Sequence, residues 1–398
     1  MKFVENVAEE KYKGFFEKCA YNHFLQAYEY GKVNKVQREQ EPVYVGIEDS
    51  KGNLVAASLL LKRKTPLGMC YFYAPRGFLI DYSAKKTLSF FVSELKKFLK
   101  KENAIYLKID PEIMYQEIDS NAQKIENGKN NYAIFNNLIE LGFVHQGFNK
   151  LYEGNQPRYT FRIPVDIDIK EIEAKIDKSV MKKIRKSYSY DLVVEEGSDT
   201  KDFYKLMVEV ADKNDFKAYK EEYYQTFYEE YSKSNKALIL QIKLFPDELY
   251  AKKEKELLEN NNIDIERVKK ELELLKPYLN KYKNGLIVAS QICAYTKDIM
   301  WTLFLGNNDL ARELYCVNRM YYEVFLLAKK MGMKYVDLFG VVGDPNTTYK
   351  NLSGIHKYKA NFGGEYIEFI GEFDLVNKPL WYKLMPLLLK IYRKIRKK

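Results

Sequence analysis

One order of predicted elements occurs twice along the chain, and it limits the fold more than any other feature of the sequence. The first occurrence runs helix, hairpin, strand, helix, strand, and a similar order recurs in the second, with the single strand before the hairpin. In the first, the hairpin, strand, helix and closing strand are residues 43–61, 69–73, 83–101 and 104–111. In the second, strand 237–244 leads to a hairpin at 285–305, a helix at 309–330 and a closing strand at 334–339. The recurrence predicts an α/β (α+β) fold of two mixed-sheet units with one topology.

The length of 398 residues suits two such units, since domains usually contain about 100–200 residues. We expect the first unit to comprise residues 1–155 and 371–398 and the second to comprise residues 156–370.

An insertion at 246–283 interrupts the second unit where a short connection would suffice. It carries nine basic and nine acidic residues, and Asn260, Asn261 and Asn262 supply a turn. Its second half has apolar residues at alternating spacings of three and four, which is typical of a helix–helix seam. The insertion is predicted to be an antiparallel coiled-coil arm, and the alternative is an ordinary helix pair packed on the body. The seam consists of Ile265, Val268, Leu272, Leu275 and Leu279.

Charge favours anionic partners. The chain has 65 lysines and arginines against 55 acids, a net charge of +10. The segment 378–398 carries seven of the basic residues from Lys383 onward, no acid, and interleaved apolar residues. It is predicted to be a basic amphipathic helix that lies on anionic lipid, and a packed helix with a solvated charged end is the alternative.

Several classes of site are disfavoured by what the sequence contains. The four cysteines form no CxxC pair, and the three histidines stand apart and are expected to be structural. There is no GxxxxGK[ST] loop, and neither an N-terminal signal sequence nor a long apolar run is found. We therefore expect a cytoplasmic protein without metal chemistry. The residues in question are Cys19, Cys70, Cys293, Cys316, His23, His145 and His356.

The duplicated units resemble the acetyltransferase superfamily (GNAT-like), which is built around a mixed sheet. That superfamily's pyrophosphate-binding turn, Q/R-x-x-G-x-G/A, occurs in neither unit. The sequence therefore disfavours acetyl-CoA as the donor.

A more specific resemblance rests on an ordered set of motifs. Tyr73-Ala74-Pro75-Arg76-Gly77 with Asp81-Tyr82 is similar to the YAPRGP…D signature of the FemABX family, the peptidoglycan interpeptide-bridge aminoacyltransferases. Further matches span nearly the whole chain: Leu107 to Glu112, Met181 to Lys186, Glu221 to Tyr224, Tyr335 to Val341, His356 to Gly364 and Ile370 to Val376.

The resemblance implies two acetyltransferase-like domains with a helical arm inserted in the second. It implies transfer of an amino acid from aminoacyl-tRNA to an amine of the peptidoglycan precursor's stem peptide, or to a bridge already begun. The precursor is an anionic diphosphate sugar, linked to lipid or to a nucleotide (UDP). No cofactor is implied. With the basic tail, this favours a lipid-linked acceptor and a cytoplasmic protein at the inner face of the membrane.

Two residues carry the catalytic expectations. Lys359 matches the family's lysine in its F-K-x-x-F element and is expected to contact the tRNA's terminal adenosine or to stabilise developing negative charge. A solvated lysine at a strand edge is the alternative. Asp110 matches the family's IDP element and is expected to position or deprotonate the acceptor ammonium. An aspartate that caps the turn at the end of its strand is the alternative.

The substrate-binding expectations also come from the resemblance. Arg76 is expected to pair with a phosphate or carboxylate of the precursor, the alternative being a structural arginine that bridges two loops. Where the family has basic residues for the diphosphate, this chain has Asn34 and the Tyr219-Lys220 step, so nearby lysines are expected to substitute. Tyr358 replaces a phenylalanine and keeps an aromatic face for base stacking. The predicted substrate-binding residues are Lys32, Lys35, Arg76, Lys220, Tyr223 and Tyr358.

The basic helix around 178–186 is the predicted contact for tRNA phosphates, through Lys182, Lys183, Arg185 and Lys186. A solvated helix face is the alternative. Two other functions stay open at this point: an acyl-CoA-dependent N-acyltransferase, and a non-catalytic module that binds tRNA or membrane.

Overall fold

The structure is a computed structural model that describes residues 1–65, 68–259 and 264–385. Two mixed β-sheets form its framework. The strands of the described residues are β1 (Lys2–Glu5), β2 (Glu41–Glu48), β3 (Leu54–Lys64), β4 (Cys70–Ala74), β5 (Ala104–Ile109), β6 (Met114–Glu117), β7 (Phe143–His145), β8 (Tyr159–Pro164), β9 (Val193–Gly197), β10 (Ala237–Leu244), β11 (Leu286–Tyr295), β12 (Ile299–Asn307), β13 (Tyr335–Asp337), β14 (Glu365–Phe369) and β15 (Phe373–Val376).

Helices pack on the two sheets and join their strands. An apolar stripe of helical period fixes which face of each helix is buried, as in the helix that follows β4, where Leu88, Phe91, Val92 and Leu95 face the core. The α-helices are α1 (Glu9–Lys18), α2 (Tyr28–Arg38), α3 (Lys85–Lys101), α4 (Tyr132–Glu140), α5 (Ile169–Lys175), α6 (Lys178–Ser187), α7 (Thr200–Lys213), α8 (Glu221–Ser232), α9 (Pro246–Glu259), α10 (Ile265–Leu275), α11 (Asp309–Glu313), α12 (Cys316–Lys330) and α13 (Lys350–Ala360).

The two sheets repeat one topology, which confirms the prediction of two like-folded units. The first has the strand order β1-β2-β3-β4-β5-β15-β7, and the second has the order β9-β10-β11-β12-β13-β8-β14-β6. In each, the first four strands are antiparallel neighbours and the fourth and fifth are parallel. A parallel pair needs a crossover connection, and α3 and α12 provide it.

The sixth strand of each sheet does not come from the part of the chain that directly follows the fifth strand. In the first sheet this place is taken by β15, from near the C-terminus, which pairs with β5 on one side and β7 on the other. In the second sheet it is taken by β8, which precedes the other strands of that sheet except β6. The strand β6, which lies before residue 155, pairs with β14 of the second sheet.

The two units share a continuous apolar core. The Phe24 ring of the first unit packs at a tilt against the Trp301 ring of the second, with 5.2 Å between ring centroids. The buried Tyr231 hydroxyl, on α8, donates to the Phe24 carbonyl at 2.7 Å. Because these side chains are almost fully buried, separating the units would expose a large apolar surface.

The inserted segment forms the helix pair α9 and α10, whose helices pack on each other. Val268, Leu272 and Leu275 of the predicted seam are buried, whereas Ile265 is exposed. The pair is also tied to the body, because Glu271 accepts a hydrogen bond from the Tyr190 hydroxyl at 2.6 Å. Its coiled-coil character remains a prediction, and the predicted turn at 260–262 lies outside the described residues.

The prediction of a single helix at 309–330 is wrong. The structure contains two helices, α11 and α12, separated at Leu314 and Tyr315. Tyr315 has a φ of 59°, in the left-handed region, and this conformation cannot continue a right-handed helix.

The start of the C-terminal helix packs on the first sheet. Tyr382 and Met385 lie against Tyr106 of β5, and the Tyr382 hydroxyl donates to Asp374 at 2.7 Å. Leu380 and Leu384 are exposed. Residues 386–398, which carry most of the predicted lipid-binding charge, lie outside the described part. Among the described residues, no helix is long and apolar enough to cross a membrane.

Candidate active site at the junction of the two units

The carboxylate of Asp110 closes a turn in the first unit. It lies directly after β5 and is almost fully buried. One oxygen accepts the Tyr73 hydroxyl at 2.7 Å, and the other accepts the backbone N–H of Arg76 at 2.6 Å. Arg76 has a φ of 59°, and this left-handed conformation turns its N–H toward the carboxylate. The turn-capping alternative therefore describes the geometry that the structure shows.

Burial also makes Asp110 titrate near neutrality. Removal from water disfavours the charged carboxylate and raises its pKa to about 7. The Arg76 guanidinium opposes this shift, whereas the negative charge of Glu372 adds to it. Each carboxylate oxygen has a further lone pair beyond the hydrogen bond it accepts, so the group can still take a proton.

The ammonium of Lys359 lies against the turn that follows β13 in the second unit. It lies in the last turn of α13, is partly buried, and donates to the carbonyls of Phe339 at 2.6 Å and Gly340 at 3.0 Å. Burial lowers its pKa to about 8, against the pull of the nearby Asp337. The alternative of a solvated strand-edge lysine is wrong. An ammonium has three N–H donors, so one remains for a substrate.

A buried ion network joins these two halves. Glu112, two residues after Asp110, pairs with Arg162 of β8, and Arg162 donates to Asp337 at 2.8 Å. Asp337 then accepts the backbone N–H of Phe339 at 2.8 Å, and Phe339 is the residue whose carbonyl holds Lys359. Pairing both acids with one guanidinium compensates for the cost of burying their charge.

His23 completes this network as a neutral donor. Its Nδ1 accepts the backbone N–H of Leu25 at 3.0 Å, so the proton of a neutral ring lies on Nε2, which is 2.9 Å from Glu112. Burial lowers the pKa of His23, which keeps the ring uncharged. His145 and His356 each contact a backbone carbonyl at 3.1 Å, as expected for structural histidines.

Arg76 is buried and already engaged. It donates to the Pro157 carbonyl at 3.0 Å, lies 3.6 Å from Glu112, and sits over the Phe369 ring at 5.0 Å. These contacts support the alternative of a structural arginine between two loops. Its predicted pairing with the precursor stays a prediction.

The structure brings the predicted diphosphate-binding segments to one face. Gln37 of α2 donates to the Glu222 carbonyl of α8 at 3.0 Å, so the two helices are neighbours across the junction. Lys32 is paired with Glu9 at 2.9 Å. Lys35 and Lys220 are exposed, and their side chains form no hydrogen bond or ion pair with the described residues.

Tyr223 is buried on this face, and its ring lies 5.3 Å from the guanidinium of Arg38. Sequence reasoning missed Arg38. It lies four residues after Asn34 on α2, and that helical spacing was the signal that could have drawn attention to it.

The predicted tRNA-binding helix α6 starts beside the end of α13. The Asp177 N–H, at the N-cap of α6, donates to the Asn361 carbonyl at 2.8 Å. Lys182 and Lys183 are exposed, and Arg185 is exposed at 3.6 Å from Glu173.

The fourth predicted tRNA contact, Lys186, and the predicted substrate-binding residue Tyr358 are less accessible. Lys186 is half-buried over the Tyr190 ring at 5.4 Å. Tyr358 is partly buried edge-on against Tyr321 and Phe362, and its hydroxyl has no partner among the described residues.

Known proteins resemble this chain along nearly its whole length. The model of the FemAB family matches residues 7–245 and 243–390. The aminoacyltransferase FemA of Staphylococcus epidermidis is 25% identical over 100% of this chain and 99% of its own. The lipid II:glycine glycyltransferase of Staphylococcus haemolyticus is 28% identical over 85% and 86%, respectively.

Among solved structures, the crystal structure of FemX superposes with a TM-score of 0.79 at 21% identity, covering 96% of this chain and 100% of that one. This similarity shows the shared fold. Because the family model matches almost the entire chain, the protein belongs to the FemAB family.

Proposed function

We propose that this protein is an aminoacyltransferase that moves an amino acid from aminoacyl-tRNA to an amine of a peptidoglycan precursor's stem peptide, in cross-bridge synthesis. The relatives' names support aminoacyl transfer onto a peptidoglycan precursor. The observation that carries the proposal is the buried ion network of Glu112, Arg162 and Asp337, which links the two units. Asp110 lies two residues before Glu112, and Lys359 donates to the carbonyl of Phe339, whose N–H Asp337 accepts. A donor and an acceptor bound to different units would meet there.

The reaction needs little more than alignment and charge stabilisation. The neutral acceptor nitrogen attacks the ester carbonyl and a C–N bond forms. The C–O bond to the tRNA ribose then breaks as one proton of that nitrogen passes to the ribose oxygen, leaving a ribose hydroxyl. The ester is already activated, so no covalent enzyme intermediate is required. The remaining N–H of Lys359 donates to the carbonyl oxygen as its negative charge develops. Asp110 orients the acceptor ammonium and takes the proton that it releases.

The two substrates approach from different directions in this proposal. The acceptor lies along the face of α2 and α8, where Lys32, Lys35, Lys220 and Tyr223 contact it, and Arg76 faces its anionic groups. The tRNA lies along α6, through Lys182, Lys183, Arg185 and Lys186, which leads to Lys359 on the adjacent end of α13. Tyr358 packs below the terminal adenosine. The supporting contact is the one between Asp177 and Asn361, which joins the two helices.

The C-terminal segment supports a choice of acceptor form. Leu380 and Leu384 are exposed on either side of Lys383, which is the first of the segment's seven basic residues from there onward. An apolar face followed by positive charge favours anionic lipid, so we propose a lipid-linked acceptor and action at the inner face of the membrane.

The test is a transfer assay read by mass. The protein is incubated with total charged tRNA and either the lipid-linked or the UDP-linked precursor, and the products are weighed by mass spectrometry. The expected result is a mass gain of one or more amino-acid residues, larger with the lipid-linked precursor. A mass gain that needs acyl-CoA instead of charged tRNA, or no gain with either precursor, would overturn the proposal.

A further inference from the structure

Two arginines stand apart from the others because they lack an acidic partner. The described residues contain nine arginines, and seven of them lie within ion-pair distance of a carboxylate. Arg38, at the end of α2, and Arg63, near the end of β3, do not. The residues outside the described part contain no aspartate or glutamate side chain that could serve. Within the part of the chain that the structure describes, neither guanidinium therefore has a carboxylate at ion-pair distance.

Both guanidiniums are held in place by neutral groups. Arg38 lies over the rings of Tyr219 and Tyr223, at 5.5 and 5.3 Å from their centroids. Arg63 lies 4.6 Å from the centroid of the Tyr73 ring, and it donates to Asn155 Oδ1 at 3.2 Å. Arg63 also donates from Nη1 to the Tyr71 hydroxyl at 3.5 Å and from Nε to Gln40, so Nη2 is the nitrogen that remains for an anion. Neutral partners and aromatic faces restrain a guanidinium without neutralising its charge.

The two arginines face a common centre beside the candidate active site. Arg63 Nε donates to Gln40 Oε1 at 3.4 Å, and Gln40 lies two residues after Arg38. The rings that the two guanidiniums cover, Tyr73 and Tyr223, belong to one buried cluster. The ring on which Arg63 lies belongs to Tyr73, whose hydroxyl donates to Asp110 at 2.7 Å. Arg38, on α2, lies over the ring of Tyr223 on α8, so the centre also borders the second unit.

We propose that Arg38 and Arg63 form the subsite that binds the diphosphate group of the acceptor. Guanidinium forks match phosphate oxygens in pairs, and two guanidiniums without a carboxylate partner among the described residues suit the two negative charges of a diphosphate diester. Lys32, one of the lysines expected for this role, is already paired with Glu9. The inference rests on the proposed function, because that function supplies a diphosphate-bearing acceptor. A lipid-linked and a nucleotide-linked precursor share this group, and the subsite takes either.

The test compares R38Q and R63Q with R312Q, which removes an exposed arginine that is paired with Asp309. Calorimetry at low salt measures the binding of inorganic pyrophosphate, of the UDP-linked precursor and of the lipid-linked precursor in detergent. We expect at least tenfold weaker binding of all three probes in R38Q and in R63Q, partial recovery in R38K, and wild-type affinity in R312Q. Thermal unfolding of each variant checks that the fold is retained.

The outcomes separate the subsite from the proposed function. Pyrophosphate binding that depends on both arginines supports the subsite even if the wild-type protein transfers no amino acid. Wild-type transfer with unchanged precursor affinity in R38Q and R63Q overturns the subsite and leaves the function standing. A loss confined to one of the two precursors also overturns it, because the shared diphosphate would then not be the bound group. If either variant unfolds, R38K and R63K replace it, because lysine keeps the charge but loses the bidentate fork. Weaker pyrophosphate binding in both lysine variants supports the subsite, and wild-type affinity in both overturns it.

Discussion

The two halves of the candidate active site are built alike and carry opposite charges. In the first unit, Arg76 takes a left-handed conformation, with φ 59°, and its N–H holds the carboxylate of Asp110. In the second, Phe339 takes a left-handed conformation, with φ 55°, and its carbonyl holds the ammonium of Lys359. Left-handed residues other than glycine are uncommon, so their occurrence at both sites marks two turns that are fixed by their surroundings.

The two halves differ in the sign of their buried charge, and their pKa values shift in opposite directions. Burial disfavours charge in both, so it raises the pKa of Asp110 to about 7 and lowers that of Lys359 to about 8. One countercharge opposes each shift, Arg76 in the first half and Asp337 in the second. The two similar units thus hold a carboxylate and an ammonium whose pKa values both lie near neutrality. If the two groups act as one site, changes in either half should affect the same reaction.

The largest effect is expected on removing the donor half. K359M deletes the ammonium that lies against the carbonyls of Phe339 and Gly340, and we expect transfer to fall by about 10²–10³-fold, which is typical of losing one oxyanion donor. Single-turnover transfer from charged tRNA measures it. K357M, on the exposed side of the same helix, is the matched control and should keep the wild-type rate. Equal rates in K359M and K357M would remove Lys359 from the chemistry.

Breaking the connection between the halves should affect stability most. E112Q removes the charge that faces Arg162 and Arg76, and leaving these guanidiniums without it should cost about 3 kcal/mol of unfolding free energy. Urea denaturation of E112Q and wild type measures the difference. E9Q, at the more exposed pair with Lys32, should cost less than about 1 kcal/mol. Similar losses in the two variants would show that the network does not hold the junction.

The pH dependence of transfer distinguishes the halves individually. Asp110 must be ionised to accept a proton, so activity should fall as pH drops below about 7, and D110N should lose this limb. Lys359 must be protonated to donate, so activity should also fall above about pH 8, and K359R, which does not titrate there, should lose that limb. Profiles of kcat/KM measure both. A profile that neither variant alters would contradict the assignment.

The smallest effect is expected at the tRNA surface. K182E/K183E reverses two exposed charges on α6, and we expect about tenfold weaker tRNA binding with a shallower salt dependence. Filter binding at several salt concentrations measures both quantities. K85E/K86E reverses an equally exposed lysine pair at the start of α3 and is the control. If the two double variants bind tRNA equally, the helix α6 is not the contact.

The sequence predicted the parts of this architecture that depend on local pattern. The apolar run at 54–61 and the helical stretch at 83–101 were predicted as a strand and a helix, and the recurrence of a similar element order predicted the topology. The helix predicted at 309–330 is interrupted at Tyr315, because its left-handed backbone cannot continue a right-handed helix. Glu112 and Arg162 were missed as partners since fifty residues separate them and only the folded junction brings them together.

Residues of the site were predicted unevenly for the same reason. Asp110 and Lys359 lie in motifs that the chain shares with a known family, so their positions were recognised without any structure. Arg38 and Arg63 lie outside those motifs, and what sets them apart is the lack of an acidic partner. That property belongs to the folded molecule and has no signal in the local sequence.

One measurement tests the central claim most directly: single-turnover transfer from charged tRNA to the lipid-linked precursor by wild type, D110N, K359M and the double variant. If both halves act on one transition state, the double variant should lose much less than the product of the two single losses. Independent, multiplicative losses, or no transfer by the wild-type protein, would contradict the account of a single active site at the junction.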